Sequence, residues 1–151
     1  MPELKNRLRA DLTASMKSRD EVRTRTLRMA LTEISKEEVS GKSARELDDA
    51  QIERVLAREA KRRREAAEAF SDAGRTDQAA AEVAEGQILA GYLPAQFDDE
   101  ELVALVAEAI AESGASGPNS IGQVMKIATP QVAGRADGAR VAAEVRRQLA
   151  G

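Results

Sequence analysis

The most informative segment of the sequence is IGQVMKIATPQVAGRADG, which runs from Ile121 to Gly138. Its first part predicts a short helix that opens at Ser120, where the side chains of Ser120 and Gln123 can form a capping box. The same helix is predicted to stop at Pro130. A glycine-punctuated loop then leads into the last helix. The stretch therefore predicts a helix–loop–helix corner.

Glycines and basic residues alternate along this corner. Gly122 leaves no Cβ on its helix face, so another backbone or a ligand can come close. Lys126 lies four residues further along that face, and Arg135 stands in a loop whose flanking Gly134 and Gly138 permit unusual backbone angles. Two interpretations remain open: a docking surface for a phosphate-rich partner, or a corner with solvated basic side chains.

Composition excludes several classes of chemistry. The 151 residues suit one domain or two small ones, and only 2% are aromatic, so Leu, Ile, Val, Ala and Met must form the core. The sequence has no cysteine and no histidine, which excludes disulfides, thiolate-bound metals and the usual general base near neutral pH. A Ser–His–Asp or Cys–His arrangement is impossible within this chain. We therefore predict no catalytic residue, no cofactor and no metal.

The two ends of the chain differ in charge from its middle. Residues 1–28 carry a net charge of +4, the segment from Glu65 to Glu112 carries −11, and the residues from Ser113 onward carry +3. Local patches, rather than the overall charge of −3, set the field that a partner meets. The alternative is that these charges are simply solvated helix surfaces.

No signal peptide or membrane span is predicted. The N-terminal MPELKNRLRADL lacks the apolar region of a signal peptide, and no apolar run reaches membrane-spanning length. We expect a soluble, cytoplasmic protein with no membrane partner.

The apolar spacing predicts an all-α fold, because apolar residues recur three and four positions apart and no alternating pattern indicates a strand. The predicted core faces are Leu4, Leu8, Leu12 and Met16; Val22, Leu27, Ala30, Leu31 and Ile34; Ile52, Val55, Leu56, Ala60, Ala67 and Phe70; Ala80, Val83, Ala84 and Ile88; Leu102, Val103, Val106, Ala109 and Ile110; and Val141, Val145 and Leu149. The predicted helix starts are Ser18 with Glu21, Asp48 with Gln51, Thr76 or Asp77, and Asp98 with Glu101, and the predicted stops include Ala73-Gly74 and Gly114.

A proline marks the predicted boundary between two subdomains. The fourth helix must stop at Gly91-Tyr92-Leu93-Pro94, because proline disfavours helical angles in the residue before it. We expect an N-terminal subdomain of long helices over residues 1–91. A C-terminal three-helix subdomain should follow over residues 92–151.

Two further patterns limit the possible ligands. The acids Asp98 to Glu101 could be taken for a metal cluster, but four consecutive acids point in different directions and suit the positive end of a helix dipole. The aromatic residues are only Phe70, Tyr92 and Phe97, too few for a platform that stacks unpaired bases. Any nucleic acid should therefore be recognised by the shape and charge of its folded backbone.

Several motifs resemble a known family. GQVMK (Gly122 to Lys126), GRADG (Gly134 to Gly138) and the closing helix resemble the tail domain of GatB, a subunit of the glutamine-dependent tRNA amidotransferase. The resemblance to the small stand-alone YqeY proteins, which share that tail, is closer and covers nearly the whole chain. It includes RTLRMAL (Arg25 to Leu31), AGRTD (Ala73 to Asp77) and YLPAQ (Tyr92 to Gln96). One departure is Ala128-Thr129-Pro130, where a bulkier apolar residue is expected before the proline.

The resemblance implies binding rather than catalysis. The resemblance implies that, in the amidotransferase, the tail contacts the folded body of tRNA. The chemistry lies in the GatB body and in a partner subunit. Nothing in this chain matches that body. A carbon–nitrogen ligase activity with glutamine as amido-N-donor would therefore need partner subunits.

Two functional hypotheses follow. The first is a module for tRNA or another structured RNA, acting with amidotransferase or aminoacyl-tRNA synthetase-type proteins. Its phosphate contacts would be Lys126, Arg135, Arg140, Arg146 and Arg147, with close backbone approach at Gly122, Gly134 and Gly138. The second is a protein-interaction adaptor whose acidic segment, Glu65 to Glu112, meets a basic partner.

Overall fold

The computed structural model describes residues 2–132 and 135–151, and every regular element within them is helical. The helices are α1 (Glu3–Ser18), α2 (Glu21–Glu38), α3 (Asp49–Asp72), α4 (Thr76–Ala90), α5 (Asp99–Ser113), a 3-10 turn (Pro118–Ser120), α6 (Ile121–Val132) and α7 (Gly138–Ala150). The all-α prediction is confirmed. Of the helices described, none combines the length and the apolar character needed to cross a bilayer.

The backbone forms two compact units, the N-terminal unit (Met1–Pro94) and the C-terminal unit (Ala95–Gly151). The division into subdomains 1–91 and 92–151 stays a prediction. In the N-terminal unit, α3 and α4 form a helical hairpin on which α1 and α2 pack. Its buried core consists of Leu4, Leu8, Leu27, Ala30, Ile34, Leu47, Ile52, Val55, Leu56, Ala60, Leu89 and Tyr92.

The start of α2 differs from the prediction. Asp20, rather than Ser18, is the capping residue, and its side chain accepts a hydrogen bond from the backbone N–H of Arg23 at 3.1 Å. Ser18 still belongs to the last turn of α1, where its hydroxyl donates to the carbonyl of Ser15. The break lies at Arg19, whose φ of 60° ends α1 in the left-handed conformation.

The turn between α3 and α4 is partly as predicted. The Asp48–Gln51 capping box that begins α3 is confirmed, and α3 ends at the predicted Ala73-Gly74, with Gly74 at a φ of +75°. The predicted cap of α4 is wrong. The chain turns so tightly after Gly74 that Thr76 is already helical, and Arg75 occupies the cap position without a side-chain hydrogen bond.

The buried face of α4 also differs from the prediction. Val83, predicted to lie in the core, is 48% exposed, whereas Leu89 is fully buried. The reason is a charged side chain from α3. Arg63 approaches Glu82 and Glu85, with nitrogen–oxygen distances of 3.7 and 3.4 Å, so α4 presents the face that contains these acids to α3. Val83, one residue along from Glu82, therefore points away.

Four more residues predicted to be core are exposed, namely Met16, Val22, Ala80 and Val103. Met16 and Val22 lie at the helix ends that flank the turn between α1 and α2. Val103 lies at the edge of a groove between α5 and α7. For Met16 and Val22, the apolar spacing continues to the helix ends beside the turn, where these two side chains are exposed.

Tyr92 anchors the end of the N-terminal unit. Its hydroxyl donates to Asp11 Oδ2 and accepts from Arg23 Nη2 at 3.2 Å, and the Arg7 guanidinium lies 4.6 Å from its ring centre. Burial, and then the hydrogen bond to Asp11, raises the pKa of Tyr92 to about 12. The predicted boundary residue is therefore part of a partly buried polar network with α1 and α2.

In the C-terminal unit, α5, α6 and α7 pack pairwise around one core. The buried residues are Leu102, Val106, Ala109, Val124, Ala128, Val132, Ala136, Val141 and Val145. The predicted start of α5 is confirmed, because Asp98 accepts from the backbone N–H of Glu101 at 2.7 Å. The predicted stop is confirmed too, since Gly114 has a φ of +67°.

The start of α6 is not the predicted capping box. The Ser120 hydroxyl donates to the Ser116 carbonyl, and Gln123 Nε2 donates to the Ser113 carbonyl, both at 3.0 Å. A 3-10 turn beginning at Pro118 runs directly into α6 and directs these side chains backward.

The end of α6 also differs, since the helix continues past Pro130 to Val132. Proline removes one backbone donor, which weakens a helix without always ending it. Val132 is buried in the core of the C-terminal unit, and this packing supports the last turn.

Candidate nucleic-acid interface

The five basic residues predicted to contact phosphates all lie in the C-terminal unit, but they occupy different environments. Lys126 on α6 and Arg146 on α7 are exposed. Within residues 2–132 and 135–151, neither side chain makes a hydrogen bond or an ion pair. These two cations are therefore available to an incoming anion.

Arg135 has an internal role that the sequence did not reveal. Its Nε donates to the Ala95 carbonyl at 2.7 Å, and its guanidinium lies 4.1 Å from the ring centre of Phe97. The backbone adds a further bond, from the Phe97 N–H to the Arg135 carbonyl at 2.8 Å. Arg135 thus fixes the segment that leads into α5 through a cation–π contact and two hydrogen bonds.

Arg140 holds the same segment from α7. Its Nη1 donates to the Phe97 carbonyl and its Nη2 to Asp99 Oδ1, each at 2.7 Å. Both ends of the guanidinium fork are therefore engaged within the C-terminal unit. The lone aromatic beside an acidic helix start was the only sequence signal for this contact, and the two sides of the contact are about forty residues apart.

Arg147 is engaged with its own helix. Its Nε and Nη2 donate to the two oxygens of Glu144, each at 2.7 Å. These bonds hold the pKa of Glu144 below its usual value. Arg147 is thus partly neutralised by a neighbour one turn away.

Two of these arginines line one groove between α5 and α7. The groove has a volume of about 380 Å³ and is lined by Asp99, Leu102, Val103, Arg140, Ala143, Glu144 and Arg147. Its lining combines apolar side chains with the two arginine–carboxylate pairs. Lys126 and Arg146 do not line this groove.

The glycines of the predicted surface are open. A Cβ placed on Gly122 or on Gly138 would meet no atom of the described chain within 4 Å. Within the described part of the protein, no neighbouring atom lies close enough to require a glycine at either position. Gly134 lies outside the described residues.

The acidic segment is divided between the two units. Glu82 and Glu85 face Arg63, and Asp98 caps α5. Nine other acids of the segment are exposed: Glu65, Glu68, Asp72, Asp77, Asp99, Glu100, Glu101, Glu108 and Glu112. Among the described residues, no group of three or more acids has the geometry of a metal site.

Comparison with known proteins identifies a family for this chain. A search of curated proteins finds no match. The family model described as Yqey-like protein matches residues 5–149, which is nearly the whole chain. The chain therefore belongs to the YqeY family.

Proposed function

We propose that this chain is a binding module for structured RNA, with tRNA as the expected ligand, and that it acts as an accessory without chemistry of its own. The observation that supports this most directly is the exposure of Lys126 and Arg146 on α6 and α7 without an internal partner in the described residues. The residues from Ser113 onward carry a net charge of +3, so this part of the unit attracts a polyanion.

The structure changes the number of phosphate contacts to expect. Arg135, Arg140 and Arg147 already donate to groups of the C-terminal unit. If only Lys126 and Arg146 bind phosphates, log affinity should fall with log salt at a slope of about −1.4 to −1.8. If all five cations bind, the three arginines must exchange their internal partners and the slope should be about −3.5 to −4.5.

The test measures binding of purified tRNA to the full chain at several KCl concentrations. The double variant Lys126→Glu and Arg146→Glu should lose most of the affinity and flatten the salt dependence. A matched control is Lys61→Glu and Arg75→Glu, which reverses two exposed cations of the N-terminal unit. Equal binding by the wild type and the first variant would refute the assignment.

A link to amidation would come through other chains. With no histidine, no cysteine and no match to the GatB body, the pure protein should form no amidated product from glutamine, ATP and mischarged tRNA. Robust turnover by the pure protein would overturn the accessory role. Turnover only after addition of amidotransferase subunits would support it.

The exposed acids of the segment from Glu65 to Glu112 favour one alternative, an adaptor for a basic protein. A pull-down from cells distinguishes the two functions. A protein partner that survives nuclease treatment, with no tRNA in the eluate, would support the adaptor. Loss of the bound material on nuclease treatment would support RNA binding.

A further inference from the structure

A second basic cluster lies in the N-terminal unit, where no RNA contact was predicted. A pocket of about 300 Å³ is lined by Glu37, Arg45, Leu47, Gln51, Arg54, Val55 and Arg58. Arg54 and Arg58 are one turn apart on α3, so they lie on the same face. The backbone N–H of Arg45 donates to the Glu38 carbonyl at 2.9 Å, which holds the connecting loop against the end of α2.

Positive charge exceeds negative charge in this pocket. Three arginines and one glutamate, Glu37, line it, so the lining carries a net charge of +2. Glu37 lies 3.8 Å from Arg45 Nη2 and 3.7 Å from Arg58 Nη2, beyond good hydrogen-bonding distance. Arg54 makes no ion pair within the described part of the chain. The guanidinium donors are therefore poorly satisfied by the protein itself.

One more carboxylate lies close to Arg58 without belonging to the pocket lining. Glu33 is hydrogen-bonded to Lys36 Nζ at 3.0 Å, and this bond is the main reason that its pKa is lowered. The field of Arg58 contributes less to that shift. Glu33 is thus paired with Lys36, and Arg58 remains available to the pocket.

The rest of the lining suits an anion with several oxygens. Gln51 Oε1 accepts the backbone N–H of Asp48 at 2.9 Å in the capping box, so the amide nitrogen is the end left to donate. Leu47 and Val55 are buried and give the pocket an apolar floor, which strengthens charge interactions above it. Planar guanidinium forks match the spacing of oxygens on a phosphoryl group.

We propose that this pocket binds a phosphoryl group, either as inorganic phosphate or as the end of a small phosphomonoester. Arg45, Arg54 and Arg58 donate to its oxygens, and the Glu37 carboxylate moves aside. The site lies in a different unit from Lys126 and Arg146, and it does not depend on RNA binding.

The test is a titration of the isotope-labelled full chain, followed by nuclear magnetic resonance, at constant ionic strength. Inorganic phosphate replaces sodium chloride in one arm, and adenosine monophosphate is compared with adenosine in another. Saturable shifts should appear in the backbone amides from Arg45 to Arg58. Tighter binding of the nucleotide than of inorganic phosphate identifies the phosphomonoester as the preferred source.

Substitutions of the arginines and of Glu37 should change the phosphate affinity in opposite directions. Arg54→Gln and Arg58→Gln should each weaken phosphate binding about tenfold, since each removes a charge-assisted hydrogen bond. Glu37→Gln should strengthen binding about threefold, because it removes the exposed carboxylate that competes for the arginines. Lys61→Gln, an exposed cation of α3 outside the pocket, should leave binding unchanged.

Three results would overturn the proposal. The first is changes in the amide chemical shifts that grow linearly with phosphate concentration without saturation, or that match the changes caused by sodium chloride. The second is an equal effect of Lys61→Gln and Arg58→Gln, which would indicate general charge. The third is weaker binding by Glu37→Gln, which would show that Glu37 shapes the pocket rather than competing for it.

Discussion

In the N-terminal unit the Arg7 guanidinium covers the ring of Tyr92, and in the C-terminal unit the Arg135 guanidinium covers the ring of Phe97. The two anchors differ in their polar partners. The Tyr92 hydroxyl is bonded to the side chains of Asp11 and Arg23, whereas Phe97 is held by its main chain. The hydrogen bonds of Tyr92 therefore depend on the protonation of side chains, whereas those of Phe97 do not.

The ion pairs of the two units also differ, in how far their side chains are exposed to water. Lys5 Nζ lies 2.9 Å from both oxygens of Glu38, and the two side chains are 8% and 14% exposed. In the C-terminal unit the Arg140–Asp99 pair is 35% and 98% exposed. Removal of a partner is costly only where water cannot replace it. We therefore expect the N-terminal unit to respond more strongly to changes of charge.

The largest expected effect comes from the two aromatic anchors. Tyr92→Ala should lower the free energy of unfolding of the N-terminal unit by about 4 kcal/mol, because Tyr92 is only 5% exposed. Phe97→Ala should cost the C-terminal unit about 2 kcal/mol, because Phe97 is half-buried. Hydrogen exchange of the amides in each unit measures the two losses separately. Equal losses would remove the proposed difference between the anchors.

The next effect concerns the buried ion pair. Glu38→Gln should cost about 3 kcal/mol, because it leaves the Lys5 ammonium buried without its counter-charge. Asp99→Asn should cause no measurable change, since water replaces the exposed carboxylate. Urea denaturation compares the two variants. The double variant Lys5→Met and Glu38→Gln should recover most of the loss, because the amide oxygen can still accept the Leu47 N–H and no buried charge remains. Failure to recover would show that the uncompensated charge of Lys5 is not the cause.

A third effect should appear at alkaline pH. The pKa of Tyr92 is raised from 10.0 to about 12, so the folded state favours the neutral phenol. This contribution to stability is complete below pH 10 and is lost as the pH rises toward 12. The chain has one tyrosine and no tryptophan, so tyrosinate absorbance reports this residue alone. Asp11→Asn should lower the pKa, and an unchanged pKa would contradict the assigned hydrogen bond.

Local hydrogen bonds account for what the sequence predicts well. The starts at Asp48 and Asp98 and the stop at Gly114 depend on groups within four residues, so short patterns identify them. Ser120 and Gln123 match the same pattern, but a preceding 3-10 turn gives them other acceptors. Short patterns thus fail where a neighbouring element offers competing partners.

The candidate site was harder to predict because its contacts are distant in sequence. The sequence predicts that Arg135 lies in a glycine-flanked loop. The basic tail and the resemblance suggest phosphates as the partners of Arg135 and Arg140. The structure pairs both with Ala95 to Asp99, about forty residues away. No spacing rule connects such positions without knowledge of how the helices pack. The roles of Lys126 and Arg146 in RNA binding stay predictions.

The smallest expected effect compares the carboxylates of the two units. Glu38 and Glu144 both have a lowered pKa, mainly through hydrogen bonds from Lys5 and Arg147 respectively. Each therefore stabilises its unit above pH 4.5, and each loses that contribution as the pH falls through its own lower pKa. Arg147 is 65% exposed, so added salt should move the pKa of Glu144 back toward 4.5 more than that of Glu38. Carboxyl-carbon resonances followed against pH at two salt concentrations measure both values. An equal response to salt would show that the Lys5–Glu38 pair is as open to water as the Arg147–Glu144 pair.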